Sequence, residues 1–345
     1  MVKYDLWIDV SNTPQVHIAR TVIESLKNRK IFITGFRRGE VYSLFKLYNI
    51  NGNIFGSDSS NSLLKSLSFA FRTFRLLFQA PRAKCLFSVE NAMPIPASTT
   101  RRMKSILLLD NDLKFDKDKP VFQKIESFLK KYATTILVPE VSKDEFEKYI
   151  ENLDPFPGFK EHVYLADFKP SKKFLDEIPY KEYVILRPES LSSLYVMKKK
   201  SLVPELIRLF SKNNINVVYL PRNKEEKELA PPTNNVYIPR KALDGLNLIY
   251  YSQATITGSG TMSREAALMG VPAVSFFPGK KLLAVDKSLI KTGKIFHSRE
   301  PREIVDYVIS MLGKKKQESF KAEQERARKA KKYLLNKIGE CIESI

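Results

Sequence analysis

The sequence predicts an α/β protein built from two Rossmann-like domains, each a parallel sheet covered by helices. Three observations carry that prediction. A chain of 345 residues exceeds one ordinary hydrophobic core. Short runs rich in β-branched and aromatic residues alternate with longer amphipathic runs, the pattern of βαβ units. That alternation halts once, across residues 155–173, and then resumes.

In the first series, strands are read at "DLWIDV", "KIFITGF", "GNIFG", "KCLFSVE", "SILLLDND" and "TTILVPE". Helices fall between them at about 16–28, 40–49, 61–79, 92–102 and 120–132, where apolar residues recur three or four apart. Pro120 stands at a helix start, where proline is tolerated. The segment "PFPGFKEHVYLADFKPSKK" has neither period, so the domain crossover is placed there. A second series follows from "EYVILRPE" to "VPAVSFFPG", and helices at about 301–312 and 316–343 close the chain. The resulting division is 1–165 for the first domain, 166–315 for the second, and 316–345 for a charged C-terminal helix. Two such domains imply a cleft between them.

Composition narrows the function classes. Hydrophobic residues make up 43% and charged residues 28%, enough for packed cores and unlike a disordered chain. The net charge of +20 favours an anionic partner: a phosphorylated small molecule, an acidic membrane surface or nucleic acid. Basic residues are spread along the chain and no nucleic-acid-binding motif is recognisable, so nucleic acid is the least favoured of the three. Cys85 and Cys341 are the only cysteines, too few for a disulfide framework or a cysteine zinc site, and a reducing compartment is expected. His162 and His297 lack ligand spacing, so no metal is expected. The N-terminal apolar run carries Asp5 and Asp9, unlike a signal peptide, and no stretch reaches 18 apolar residues. The expected location is cytoplasmic, with peripheral contact at the cytoplasmic membrane face left open.

One junction carries the most chemistry. In "ATITGSGTMSREAALMG" an apolar strand runs into Gly258, Ser259, Gly260 and Thr261, and a helix opens at once. Glycines allow close backbone approach to a phosphate, the two hydroxyls add donors, and a helix N-terminus offers unsatisfied N–H groups with a partial positive charge. Glu265, about one turn in, is placed to accept the vicinal hydroxyls of a ribose. The same residues also suit a plain tight turn followed by an acid favourable to the helix dipole.

"GSGTMSREAALMGVPAV" resembles the C-terminal sugar-nucleotide motif of GT-B-fold glycosyltransferases and of the non-hydrolysing UDP-N-acetylglucosamine 2-epimerases. "WIDVSNTPQVH", "FPGFKEHVYLADFKP", "YVILRPES", "NVVYLPR", "ALDGLNLIYYSQ" and "FFPGKKLLAVDKSLI" resemble landmarks of a largely uncharacterised prokaryotic domain-of-unknown-function family of GT-B-like proteins. The resemblance spans most of residues 4–312. It implies a GT-B fold and a nucleoside-diphosphate sugar as donor substrate, with no further cofactor. By its charge the last helix reads as a solvated face, whereas the resemblance implies that it returns to pack on the first domain.

Further candidates follow. Arg187 ends a second-domain strand, and the resemblance makes it a diphosphate ligand; a guanidinium suits phosphate. Ser190 and Ser192 are weaker candidates of the same turn. Ile238 matches by order the loop whose backbone holds the base, and Asp286 with Lys287 the region that touches the donor sugar. In the first domain His17 lies near a helix start, and an imidazole there suits base catalysis on an acceptor hydroxyl. The resembled family commonly reads Pro-His-Val-His, whereas Gln15 replaces the first histidine here. Glu90, Asp110 and Asp112 end first-domain strands, where the epimerases carry acid/base residues.

The reading is a glycosyltransferase moving a sugar, UDP-linked by expectation, onto a hydroxyl of a glycan or lipid-linked acceptor. A 2-epimerase using Glu90, Asp110 or Asp112 is the enzymatic alternative; a non-catalytic nucleotide-sugar or nucleic-acid-binding protein is the other. The stretch from Leu63 to Arg82 combines Leu67, Phe71, Phe74, Leu77 and Phe78 with Lys65, Arg72, Arg75 and Arg82. It fits an anionic bilayer surface, but a Rossmann-like domain's need for apolar helix faces favours burial.

Overall fold

The computed structural model describes residues 3–58, 62–116, 120–189, 201–314 and 317–344, which leaves Ser190 and Ser192 outside the described residues. The chain divides into two compact units, Met1–Ala166 with Leu283–Val285 and Arg326–Ile345, and Asp167–Leu282 with Asp286–Glu325.

The first unit alternates β1 (Tyr4–Val10), α1 (Thr13–Ser25), β2 (Ile31–Arg37), α2 (Val41–Leu47), β3 (Asn53–Ser57), α3 (Ser62–Gln79), β4 (Ala83–Val89), α4 (Ile95–Thr100) and β5 (Lys104–Leu108). It continues through α5 (Val121–Lys130), β6 (Thr135–Pro139), α6 (Lys143–Glu147), β7 (Asp154–Phe156) and α7 (Lys160–Leu165). The seven strands form one sheet in the order β3-β2-β1-β4-β5-β6-β7, and every pairing in it is parallel. Central strands such as "CLFSV" are buried on both faces because helices cover both. Strand order reverses between β1 and β4, which makes their C-terminal ends this sheet's switch point.

The second unit contains β8 (Val184–Arg187), α8 (Val203–Lys212), β9 (Val217–Tyr219), α9 (Lys224–Lys227), β10 (Val236–Tyr237), α10 (Gly245–Tyr251), β11 (Ala254–Thr257), α11 (Gly260–Leu268) and β12 (Ala273–Ser275). After α12 (Ala284–Lys291), whose first two residues group with the first unit, come β13 (Ile295–His297) and α13 (Pro301–Met311). The sheet order β10-β9-β8-β11-β12-β13 repeats the pattern of the first, again with parallel pairings, and reverses between β8 and β11. Its core gathers Val184, Leu186, Leu206, Phe210, Ile256, Val274, Phe276 and Val308.

Four expectations are corrected. Residues 155–173 are not irregular: Pro155 and Phe156 pair with Val138 and Pro139 in β7, and α7 follows. A three-residue strand and a six-residue helix are too short to show a period. The last helix, α14 (Gln317–Glu343), is not the solvated face its charge suggests: it buries Ala327, Ala330, Leu334, Ile338 and Cys341 at three- and four-residue spacing in the first unit, the packing the resemblance allowed. Most of its charges occupy the remaining faces, whereas Glu323 is buried and pairs with Lys294. Cys85 on β4 and Cys341 on α14 form a disulfide across a separation of 256 residues, so the two cysteines are not left reduced. A lone pair that far apart gives no sequence pattern.

The fourth correction concerns α3. Phe69, Leu76 and Arg72 face the core, while Leu67, Phe71, Phe74 and Phe78 are exposed. Arg72 is fully buried, and it donates to both carboxylate oxygens of Asp9 at 2.6 and 3.0 Å and to the Phe55 carbonyl at 3.0 Å. Thr34 and Asn91 also donate to Asp9, and Trp7 Nε1 donates to Thr34 at 2.8 Å. A fork of N–H groups meets a carboxylate in two-point geometry, which offsets the cost of burying both charges.

Candidate functional site

At the switch point of the second sheet, β8 ends in Arg187 and β11 ends in Thr257, and these two residues are register partners. The sequence thus brings Arg187 beside the Gly258–Thr261 turn, at the edge where open α/β sheets receive ligands.

Not every amide of that turn faces outward, which corrects the expected seat. Gly258 N donates to the Arg187 carbonyl at 3.1 Å, and Ser259 N donates to Thr257 Oγ1 at 2.8 Å. A Cβ on Gly258 would lie 2.5 Å from Glu189 Cα, so this glycine is required by the backbone of the neighbouring turn rather than by a phosphate. Glu189 is itself buried, accepting from Ser201 Oγ at 2.9 Å and from Leu202 N at 3.2 Å ahead of α8. The seat narrows to the first turn of α11. Gly260, Thr261 and Met262 occupy its first three positions, whose amides have no acceptor within a helix. Ser259, extended at the N-cap, makes no side-chain cap bond to them.

Two more side chains converge on this turn. Arg264 is buried and bonds Asp286 Oδ1 at 2.7 Å, with Thr261 Oγ1 3.4 Å from its other terminal nitrogen. A Cβ on Gly260 would meet that Arg264 fork at 3.0 Å and Asp286 at 3.2 Å. Here, then, glycine makes room for a charged pair over the helix start. Sequence reasoning missed Arg264, since its partner lies 22 residues on and nothing local links the two. Glu265 is buried and partnered within the protein, four residues after Thr261 and therefore on the same helix face. Ile238 follows the edge strand β10 and packs its side chain on the core, which leaves only its backbone to meet a ligand.

The first unit collects the other candidates along the C-terminal edge of its sheet. His17, in α1, is buried with its ring 5.3 Å from Tyr164 and 5.6 Å from Tyr48. Gln15 accepts from Ser11 N at 2.6 Å and Asn12 N at 3.1 Å, and donates to the Val89 carbonyl at 2.6 Å. The departure from histidine there ties the start of α1 to the end of β4.

Glu90 has φ 54, unusual for a residue with a side chain, and accepts from the amides of Asp110 at 2.6 Å and Asn111 at 2.9 Å. Lys130 bonds its other oxygen at 3.1 Å, with Lys114 at 3.5 Å. Burial favours the neutral acid, but Lys130, Lys114 and the two amides outweigh it and hold Glu90 well below the usual carboxylate range. Asp110 pairs with Lys160, and Asp112 accepts from Ala284 N at 3.2 Å. Lys160 lies in the segment read as a linker, so its side chain had no assigned place. Among the described residues no group of three or more His, Cys, Asp or Glu is arranged to hold a metal.

Comparison with known proteins gives the fold its class. The fold is shared with a UDP-N-acetylglucosamine 2-epimerase from Rickettsia bellii at TM-score 0.73 and 13% identity, covering 99% of this chain and 97% of that one. The Methanocaldococcus jannaschii UDP-GlcNAc 2-epimerase, solved with UDP-GlcNAc and UDP, aligns at TM-score 0.68 and 14% identity over 95% and 98%. A glycotransferase of kitacinnamycin aligns at TM-score 0.60 and 12% identity over 98% of both chains. The architecture is that of a GT-B protein, two Rossmann-like units with parallel sheets. Residues 4–328 match the model of the DUF354 family, proteins of unknown function, and the chain belongs to that family. An uncharacterised M. jannaschii protein, MJ0665, is 28% identical over 331 residues, 91% of this chain and 94% of that one.

Proposed function

We propose that the second unit binds a nucleoside-diphosphate sugar, UDP-linked, and that the protein transfers the sugar to a hydroxyl of a glycan or lipid-linked acceptor. The observation that carries the reading is the pairing of Arg187 with Thr257 at the β8–β11 switch point, which sets Arg187 beside the first turn of α11, with buried Glu265 further along that helix. In this reading the amides of Gly260, Thr261 and Met262 take the diphosphate with Arg187, and Arg264 holds the loop charge close by. Glu265 exchanges its internal partner for the ribose hydroxyls. His17 is the proposed base.

The 2-epimerase alternative draws support from the folds of the two epimerases above. Against it, Glu90 is held ionised by two lysines, Asp110 is paired with Lys160, and Asp112 accepts a backbone amide. Carboxylates so engaged are poor candidates for shuttling protons at one sugar carbon. The first test is a thermal-shift screen with UDP, GDP, dTDP and their sugars, in which a ligand that prefers the folded state raises the melting point. UDP compounds are expected to do so, and no shift with any nucleotide would end the reading. Incubation with UDP-N-acetylglucosamine in deuterated water separates the two reactions. Deuterium at the sugar C2 would establish epimerisation, and its absence is expected of transfer.

A further inference from the structure

The first unit carries an exposed apolar face that its own packing leaves uncovered. On α3, Leu67, Phe71, Phe74 and Phe78 repeat at intervals of four, three and four residues, and each is more than half exposed. On and just past α5, Val121, Ile125, Phe128 and Tyr132 repeat at the same intervals and are likewise more than half exposed. The helices adjoin, since Phe69 of α3 meets Phe122 of α5 edge-on at 5.2 Å. The two stripes share one spacing, and short α4 packs against both helices that carry them. Scattered apolar side chains are ordinary on a protein surface, but eight on two adjoining helices are not.

The charge of this face is one-sided. From Ser59 to Leu109 the only acid is Glu90, which is buried among lysines. Glu126, the one acid of α5, turns to Lys114 at 3.2 Å, and Asp58, ahead of α3, pairs with Arg38 at 2.9 Å. Lys124 and Lys131 on or beside α5, and Arg82 and Arg102 beyond α3 and α4, are exposed.

We infer that this α3–α5 face docks the protein on an anionic phospholipid surface, its aromatic residues entering the headgroup boundary and its basic residues meeting lipid phosphates. Aromatic and aliphatic side chains rimmed by lysine and arginine suit such an interface, and each basic group near it adds attraction. A second copy of the chain fits less well, because pairing two such faces brings like charges together. No described helix is long and apolar enough to span a bilayer, so the contact is peripheral. The inference stands apart from the nucleotide reading, since it rests on other residues.

The test is flotation of the full chain with vesicles of phosphatidylcholine alone and with one-third phosphatidylglycerol. The expected result is binding to the anionic vesicles only, reduced at least tenfold in Phe71→Ser/Phe74→Ser/Phe128→Ser and in Lys124→Glu/Lys131→Glu. All five side chains are exposed, so the melting points of both variants should match wild type, and a fall in either is answered by the other. Absence of binding to anionic vesicles, or equal binding to neutral ones, overturns the inference. So does concentration-dependent dimerisation in light scattering that the triple variant abolishes, which would make the face a self-interface.

Discussion

Glu90 shows how one residue's surroundings decide its use. Its ion pairs keep it charged at pH values where a free carboxylate protonates, so it contributes stability that is complete above its ordinary value of 4.5 and is lost as pH falls toward its depressed folded-state value. Glu90→Gln should therefore cost about 3 kcal/mol near pH 7, since it leaves the buried Lys130 less well paired. The loss should shrink as pH falls below 4.5, measured by denaturant unfolding across pH. A deficit independent of pH would contradict the ion-pair account. Gly258→Ala should destabilise by about 1–3 kcal/mol, because the new methyl meets the main chain of Glu189 rather than a side chain that can swing away. An unfolding curve unchanged from wild type would mean the β8 and β11 turns do not touch. The importance of Gly258 was legible in the sequence but its reason was not: a glycine beside a serine reads as a phosphate turn, and only the register of β8 against β11 shows the backbone it must clear.

At the scale of elements, most strands and helices were legible because each carries its own period. β7, α6, α7, α9, α12 and β13 were not, each too short to show a sustained helical period or a clear alternation beside its neighbours. Helix α3 was legible as amphipathic, yet which face turned inward was not. The periodic stripe of phenylalanines reads as core-facing, whereas the face that packs is set by Arg72 reaching Asp9 on β1, a partner 63 residues away. Arg72→Ala should cost about 3–5 kcal/mol by stranding the buried carboxylate. Thermal unfolding checks this, and Arg72→Ala/Asp9→Ala should recover part of the loss. A double variant no more stable than the single would show that the pair's charge is not what orients α3.

For the whole molecule, the repeated strand order in the two sheets, with a switch point in each, follows from the repeated βα pattern of the sequence. The tie between β4 and α14 does not. Closing so long a loop removes much unfolded-state entropy, so Cys341→Ser, or reduction of the wild type, should lower stability by roughly 3–5 kcal/mol and the thermal midpoint by several degrees. An identical midpoint under reducing and oxidising conditions would show that the bond adds nothing to the native state.

The central claim, that the β8–β11 switch point seats a nucleoside diphosphate, is met most directly by calorimetric titration of UDP into wild type, Glu265→Gln and Arg187→Ala. Saturable one-site binding by wild type is predicted, weakened about tenfold or more in each variant, a loss of about 1.4 kcal/mol. Equal affinity in all three, with both variants folded, would contradict it.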